Sequence, residues 1–208
     1  MQIGHAGSDA AARGSVPVAA KLTPGGTLRA PREGPWLSGP ERRPRMTERR
    51  YRLRAATSDD ADQIAEIWRR GWHDGHAGRV PKQLVAARTP ESFRVRAADR
   101  VADTTVAVTA GDVAGFVMVV EDEVEQVYVG ADHRGSGVAA VLLGEAERLV
   151  ARNGYRAAWL AVVAGNARAR HFYEREGWRD EGPFGYGAAT EEEIVEVPCH
   201  RYVKDLAS

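Results

Sequence analysis

The sequence predicts an α/β (α+β) domain with one mixed, mostly antiparallel sheet of six to seven strands and helices on both of its faces. Alternating apolar runs predict strands at "YRLRAAT" and at three successive places within residues 104–129. Segments with apolar residues at helical spacing stand before and after those three strands. A nearly continuous apolar run, "AAWLAVVA", predicts a further strand between two helices. Helices on both sides of a mixed sheet bury the apolar side of each element.

The first half of the predicted domain contains a strand, several helices and three antiparallel strands. Thr57 or Ser58 caps a helix in "TSDDADQIAEIWRRGW", and "HDGHAGRVP" after it predicts a loop. Residues 81–102 predict one or two short helices. In "TTVAVTAGDVAGFVMVVEDEVEQVYV", turn residues at 110–112 and 121–122 separate three strands.

The second half contains two more helices and the last strands. One helix is predicted from about residue 136 to 152 and is closed by the turn signal at 153–154. Asn166 caps the next helix, which ends at Gly177. "VEVPCHRYVKDL" predicts the final strand, and residues 178–181 allow one more.

The N-terminal segment differs from the rest of the chain. Residues 1–45 are rich in Pro, Gly and Arg and show no periodicity. They predict a disordered extension over residues 1–48, ahead of a globular domain at 49–206. Met46 opens the globular type of sequence and is an alternative start.

Composition excludes several function classes. The 29 basic and 29 acidic residues give a net charge of +0, whereas a nucleic-acid-binding protein normally carries a basic face. No apolar run approaches the ~18 residues of a membrane helix, and the N-terminus lacks the apolar core of a secretory signal. The single cysteine, Cys199, cannot form an internal disulfide and fits a reducing compartment. We therefore expect a cytoplasmic protein with no nucleic-acid or membrane partner.

The stretch "VYVGADHRGSGVAA" carries an arginine and two glycines where a strand passes into a helix. The first turn of a helix has unpaired N–H groups and the positive end of the helix dipole. Gly135 and Gly137 allow an anion to approach that backbone, and Arg134 adds donors suited to phosphate. The turn therefore suits a pyrophosphate, although two glycines can also serve only to make a tight turn.

Two familiar nucleotide motifs do not fit this turn. It does not end in the GK[ST] of a P-loop. It lacks the third glycine of a Rossmann fingerprint, although alanine can replace that glycine. More tellingly, the strand before it follows antiparallel hairpins, and "AAWLAVVAGN" ends in Asn166 where that fold places an acidic residue.

Two motifs together match a known family. Residues Arg134 to Ala139 have the form R-x-x-G-x-A, and "NARARHFYEREGW" follows the next strand. With this order and spacing, residues 51–205 resemble the acetyl-CoA-binding core of the GNAT superfamily of acyl-CoA N-acyltransferases. The resemblance implies an acetyl-CoA-dependent N-acetyltransferase in which a primary amine attacks directly within a ternary complex, with no metal.

The resemblance also implies cofactor-binding residues. The turn would hold the CoA pyrophosphate, and the strand before it would pair with the pantetheine arm and splay from the next strand to leave a gap for the thioester. Asn166 would contact the cofactor arm, although it also suits a helix N-cap. The residues so implied are Val127, Tyr128, Val129, Arg134, Gly135, Ser136, Gly137, Val138, Ala139, Asn166 and Tyr173.

Catalytic roles follow from the same resemblance. Tyr173 matches a tyrosine that protonates the leaving thiolate, the alternative being a core aromatic. Glu123 and Glu125 are the carboxylates placed to deprotonate the amine, with Glu123 the better match; a water chain or a purely solvated role is the alternative. Because they are two residues apart, we expect both on the strand face of Val127 and Val129. The oxyanion would be held by a backbone N–H near Val127.

The acceptor and the oligomeric state stay open. Trp72, His73, His76, Phe184 and Tyr186 are the candidate acceptor contacts, with "GPFGYG" as a flexible flap. The two histidines lack a third ligand at metal-binding spacing. Homodimerisation is common in the family. Two rival interpretations are a catalytically silent acyl-CoA-binding sensor of the same fold and an interaction domain whose glycine turn is structural.

Overall fold

Seven strands and five α-helices make up residues 51–206, the part of the chain that the computed structural model describes. The predicted extension at 1–48 lies outside the described residues. Within residues 51–206, the helices and strands predicted from the sequence are found. In chain order they are β1 (Arg52–Ala55), α1 (Ala61–His76), α2 (Lys82–Ala87), α3 (Pro90–Asp99), β2 (Thr104–Thr109), β3 (Asp112–Val120), β4 (Glu123–Val129), α4 (Val138–Arg152), β5 (Ala157–Val163), α5 (Ala167–Arg175), β6 (Arg179–Ala189) and β7 (Ile194–Asp205).

The strands form one sheet in the order β1-β2-β3-β4-β5-β7-β6. Every neighbouring pair is antiparallel except β4 and β5, which are parallel. The predicted mixed, mostly antiparallel sheet of six to seven strands is therefore confirmed. None of the helices within residues 51–206 is both long and apolar enough to cross a membrane.

The helices cover both faces of the sheet, as predicted, and create two core layers. The first core layer lies under α4 and α5 and contains Val117, Leu142 and Tyr202. The second core layer lies under α1, α2 and α3 and contains Trp68 and Phe93. Buried side chains of 0 to 1% exposure fill each layer, and this apolar burial is the main stabilising contribution to the fold.

The sheet opens between its two parallel strands. The only register pair between β4 and β5 is Glu123 with Trp159, where Trp159 N donates to Asp122 O at 3.0 Å. Beyond that pair the strands splay apart, as predicted. The backbone polar groups of 124–129 on that side of β4 are thus left without a neighbouring strand, a position that an extended ligand can fill.

A β-bulge in β4 corrects the predicted orientation of the two glutamates. The register steps from Met118 opposite Gln126 to Val119 opposite Val124, which leaves Glu125 as an extra residue. A bulge breaks the two-residue alternation of side chains. Glu123 contacts Tyr186 and Glu125 contacts Arg100, both on the side of the second core layer. Val127 and Val129 pack against the first core layer, so the expectation that the glutamates share their face is wrong.

Three boundaries also differ from the sequence-based expectation. Helix α1 continues to His76, so the segment predicted as a loop is partly helical. "GPFGYG" is not a separate flap, because it lies inside β6 and pairs with β7, with Phe184 opposite Cys199. Helix α4 begins at Val138 rather than near residue 136, because Gly137 takes a left-handed conformation (φ 88°).

Candidate active site

The glycine turn joins the open end of β4 to α4. Gly135 (φ 75°) and Gly137 (φ 88°) both occupy the left-handed region that favours glycine. No hydrogen bond within residues 51–206 is made by the amide N–H groups of Gly135, Gly137, Val138 and Ala139. These donors and the N-terminal dipole of α4 form a site suited to an anion.

Hydrogen bonds of the Ser136 side chain hold the turn in place. Tyr51 Oη donates to Ser136 Oγ at 2.9 Å, and Ser136 Oγ donates to the carbonyl of His133 at 2.6 Å. The Arg134 guanidinium does not point freely into the turn, because its Nη2 lies 2.6 Å from Asp74 Oδ2 on α1. The sequence did not predict the contact of Asp74 with Arg134, because Asp74 stands in a segment that was expected to be a loop and not part of α1.

Asn166 caps α5, as the sequence predicted. Its Oδ1 accepts a hydrogen bond from Ala169 N at 3.2 Å. The amide nitrogen of the same side chain faces α1, where a Cβ on Gly75 would lie 3.2 Å from it. The cap therefore sits at the side of the opening between β4 and β5, and its cofactor contact stays a prediction.

Tyr173 projects from α5 into the first core layer beside the opening. Its ring lies 5.2 Å from Phe172, 6.2 Å from Trp178 and 6.0 Å from Tyr202. The hydroxyl makes no hydrogen bond within the described residues, and burial raises its pKa. A buried phenol with a raised pKa stays protonated at neutral pH and can donate a proton.

Tyr128 lies on the opposite face of the sheet from Tyr173. Its ring packs on Phe116 at 5.8 Å in the second core layer. Burial raises the pKa of Tyr128, and the nearby Tyr173 hydroxyl raises it further. Tyr128 and Tyr173 therefore pack against opposite core layers beside the opening between β4 and β5.

The two glutamates of β4 have different partners. Tyr186 Oη donates to Glu123 Oε1 at 2.9 Å, and burial raises the pKa of Glu123 to about 7. Glu125 instead accepts two hydrogen bonds from Arg100, one of them from Nη1 at 3.2 Å. A carboxylate held by a guanidinium is a weaker proton acceptor than one whose pKa lies near neutrality.

The predicted acceptor residues of α1 lie deeper than expected. Trp72 is only 6% exposed, in the second core layer. His76 stacks on it at 4.9 Å with an interplanar angle of 2°, and its Nδ1 lies 2.9 Å from the Trp72 carbonyl. Burial lowers the pKa of His76 to about 4, so the ring is neutral. His73 packs edge-on against Trp72 at 5.3 Å.

A second group of aromatic residues lies on β5 and β6. Trp159 lies 6.4 Å from Phe184 and 6.5 Å from Tyr186, ring to ring. Arg201 on β7 places its guanidinium 4.1 Å from the Trp159 ring centroid. The structure thus brings Glu123, Phe184 and Tyr186 together, while His76 belongs to a separate stack on α1. Within residues 51–206 no cluster of three or more His, Cys, Asp or Glu could hold a metal ion.

The comparisons with known proteins agree with this architecture. A family model described as "Acetyltransferase (GNAT) family" matches residues 61–178, more than half of the chain. The chain therefore belongs to the GNAT acetyltransferase family. The comparison with curated proteins gave no match.

Solved structures share the fold at low sequence identity. A GCN5-related N-acetyltransferase from Rhodopseudomonas palustris aligns with TM-score 0.59 and 20% identity, over 75% of this chain and 96% of that one. PaiA N-acetyltransferase from Thermoplasma acidophilum, in complex with coenzyme A, aligns with TM-score 0.57 and 16% identity over 74% and 98%. YncA from Salmonella typhimurium, with its cofactor acetyl-CoA, aligns with TM-score 0.55 and 17% identity over 76% and 95%.

Proposed function

We propose that the protein is an acetyl-CoA-dependent N-acetyltransferase that acetylates a primary amine by direct attack. The observation that carries the proposal is the opening between β4 and β5, which has unpaired amide donors at one end and Tyr173 beside it. An opening of this kind accommodates an extended thioester arm with its phosphates on the helix N-terminus. Coenzyme A complexes of proteins with the same fold support this assignment.

The cofactor site would use backbone groups more than side chains. The amides of Gly135, Gly137, Val138 and Ala139 would bind the pyrophosphate, with Ser136 as part of the turn, and the exposed edge of residues 127–129 would pair with the pantetheine arm. Arg134 would have to leave Asp74 to reach a phosphate. That exchange is feasible because both side chains are partly exposed, and surface ion pairs are weak.

The reaction would proceed without a covalent enzyme intermediate. The amine nitrogen attacks the thioester carbonyl carbon, a C–N bond forms and the C–S bond breaks. The ammonium form gives one proton to a base before the attack, and the nitrogen loses a second as the C–N bond forms and keeps one N–H in the amide. The thiolate takes a proton from Tyr173, which regains one from solvent, so that one proton is released overall. A backbone N–H near Val127 would stabilise the negative charge on the carbonyl oxygen during the attack.

Glu123 is the stronger candidate for the base. It lies beside Tyr186, one of the candidate acceptor contacts. Its pKa of about 7 suits proton exchange near neutral pH. Glu125 is bound by Arg100 and suits a positioning role.

The first experiment is a thermal unfolding titration of the full-length protein with acetyl-CoA. Ligand at a hundredfold excess over Kd should add about 2.7 kcal/mol to the free energy of unfolding. Gly137→Ala should remove this stabilisation, whereas Gly154→Ala, which introduces the same strain at a φ of 93° away from the turn, should keep it. Without a shift at millimolar acetyl-CoA, the turn is only structural and the transferase proposal fails. Binding without acetylation of any amine would instead identify a sensor.

A further inference from the structure

Arg88 is a buried cation with few partners. It connects α2 to α3 and is 7% exposed. Within residues 51–206 its guanidinium makes one hydrogen bond, from Nη2 to the Ala189 carbonyl at 2.9 Å, and no ion pair. A guanidinium carries five N–H donors. Burial lowers the pKa of Arg88 to about 10, and the charge of Arg96 lowers it further.

Arg96 is the second cation without a carboxylate partner. It projects from α3 toward the sheet, and its guanidinium lies 5.0 Å from the Trp68 ring centroid. It makes no hydrogen bond or ion pair within the part of the chain that the structure describes. Glu125, the nearest negative charge that acts on it, is already bound by Arg100.

Trp68 places an indole N–H in the same layer, beside Arg96. Its Nε1 is the only buried side-chain nitrogen or oxygen in residues 51–206 that lacks a hydrogen bond. The Tyr128 hydroxyl lies near this N–H without a hydrogen bond of normal geometry, and the charges of Arg96 and Arg88 lower the pKa of the same hydroxyl. A buried donor without an acceptor is costly. Together with the Arg96 guanidinium over the same ring and the nearby Arg88, this N–H indicates a missing acceptor-rich group.

The carboxylates of this layer are engaged by groups other than Arg88 and Arg96. Arg100 pairs with both Asp103 and Glu125, and the Arg201 guanidinium lies over the Trp159 ring. Glu125 is taken by Arg100, and Glu123 is hydrogen-bonded by Tyr186. Within residues 51–206, Arg88 and Arg96 are therefore the guanidiniums of this layer without a carboxylate partner, and the charges of both act on the Tyr128 hydroxyl.

We infer that the acceptor is a small primary amine that also carries an anionic group, a carboxylate or a tetrahedral oxyanion, which Arg88 and Arg96 bind. The inference rests on the proposed function and names its substrate class. The anion would satisfy the free donors of both guanidiniums and of Trp68. The amine end would then lie toward Glu123, on the same face of the sheet.

The test compares matched acceptors in a CoA-release assay with the full-length protein. Each amino acid is paired with its carboxamide, and each aminoalkylphosphonate with its alkylamine, so that only the anionic group differs. The acids should exceed their neutral partners by about 100-fold in kcat/KM, as expected for losing one side of a desolvated charge pair. Direct titration gives the Kd of acetyl-CoA for the same samples.

Variants locate the anion site. Arg88→Gln and Arg96→Gln should each lower kcat/KM about 100-fold for the acids and change little for the neutral amines, with the acetyl-CoA Kd within about twofold. A thermal unfolding midpoint for each variant checks that the protein stays folded, because Arg88→Gln loses the hydrogen bond to the Ala189 carbonyl. Arg94→Gln on the same helix is the control, because Arg94 is exposed and pairs only with Glu91.

Three results would overturn the inference while leaving the transferase proposal in place. The neutral partners are acetylated as well as the acids, or the two variants affect both series equally. In the third, acetyl-CoA binds but no member of either series is acetylated. Absence of acetyl-CoA binding would instead remove the transferase proposal and the acceptor inference with it.

Discussion

Tyr128 occupies the space that a side chain on Gly71 would need. A Cβ built on Gly71 would overlap Tyr128 Cδ1 and lie 3.0 Å from Cε1. Helix α1 therefore approaches β4 closely only because residue 71 is glycine, and this approach holds the Tyr128 ring over the second core layer.

Gly71→Ala should destabilise the protein despite the better helix propensity of alanine. The gain of up to about 1 kcal/mol from propensity is smaller than the cost of overpacking, about 1–3 kcal/mol. Gly144→Ala in α4 is the matched control, because a Cβ there meets nothing within 4 Å, and it should stabilise by about 0.5–1 kcal/mol. Urea denaturation midpoints measure both. Equal gains in stability would mean that Tyr128 moves aside freely.

Tyr173→Phe should lower kcat by about 100-fold and leave the Kd of acetyl-CoA within about twofold, because only the proton donor is lost. The ring contacts with Phe172, Trp178 and Tyr202 remain, so the fold should be unchanged. Tyr155→Phe, at a position 39% exposed, controls for loss of a phenol. Retention of full kcat by Tyr173→Phe would reduce Tyr173 to a packing role.

Glu123→Gln should lower kcat/KM by about 10²- to 10⁴-fold and remove a rise in activity centred near pH 7. A pH–rate profile with one fixed acceptor measures both effects. Glu125→Gln should keep the rise, because Glu125 is bound to Arg100 rather than free to take a proton. A profile that is unchanged in Glu123→Gln would assign the rise to another group.

The same glutamate predicts a stability change of known sign. Its folded pKa of about 7 lies above its ordinary value of 4.5, so folding favours the protonated form. The contribution of Glu123 to stability is therefore full below pH 4.5 and falls as the pH rises through 7. At pH 8, Glu123→Gln should be more stable than the wild type by about 1–3 kcal/mol, measured by denaturation at pH 5 and pH 8.

Most of the fold follows from periodicity in the sequence. The sequence predicted the hairpins of 104–129, the Asn166 cap and the glycine turn, because each of them depends on residues that are neighbours in the chain. The bulge at Glu125 was not readable, because it is a property of pairing with β3 and leaves no local mark. It changed the face of both glutamates relative to Val127.

The acceptor side was the least predictable part of the site. Its cations come from separate elements that only the folded chain brings together. One signal was present in α3, where Phe93, Arg96, Ala97 and Arg100 share one helical face. Arginines on the face that carries buried Phe93 and Ala97 indicate cations turned toward the interior. Arg88 had no such signal, since it stands between two short helices.

Because of His76, the free energy of unfolding should decrease as the pH falls from 6.5 to 4. Its folded pKa of about 4 lies below its ordinary value of 6.5, because burial against Trp72 disfavours the charged ring. The stability that the neutral ring contributes is present above pH 6.5 and is lost as the pH falls toward 4, by up to about 3 kcal/mol.

His76→Phe should flatten the stability profile in this window, whereas His171→Gln, at an exposed position of α5, should leave it unchanged. The loss due to Asp60, whose pKa is lowered to about 2 by Arg54, falls at lower pH and separates from that of His76. Denaturation series at half-unit pH steps measure both, and an equally steep profile in His76→Phe would show that His76 is not the titrating group.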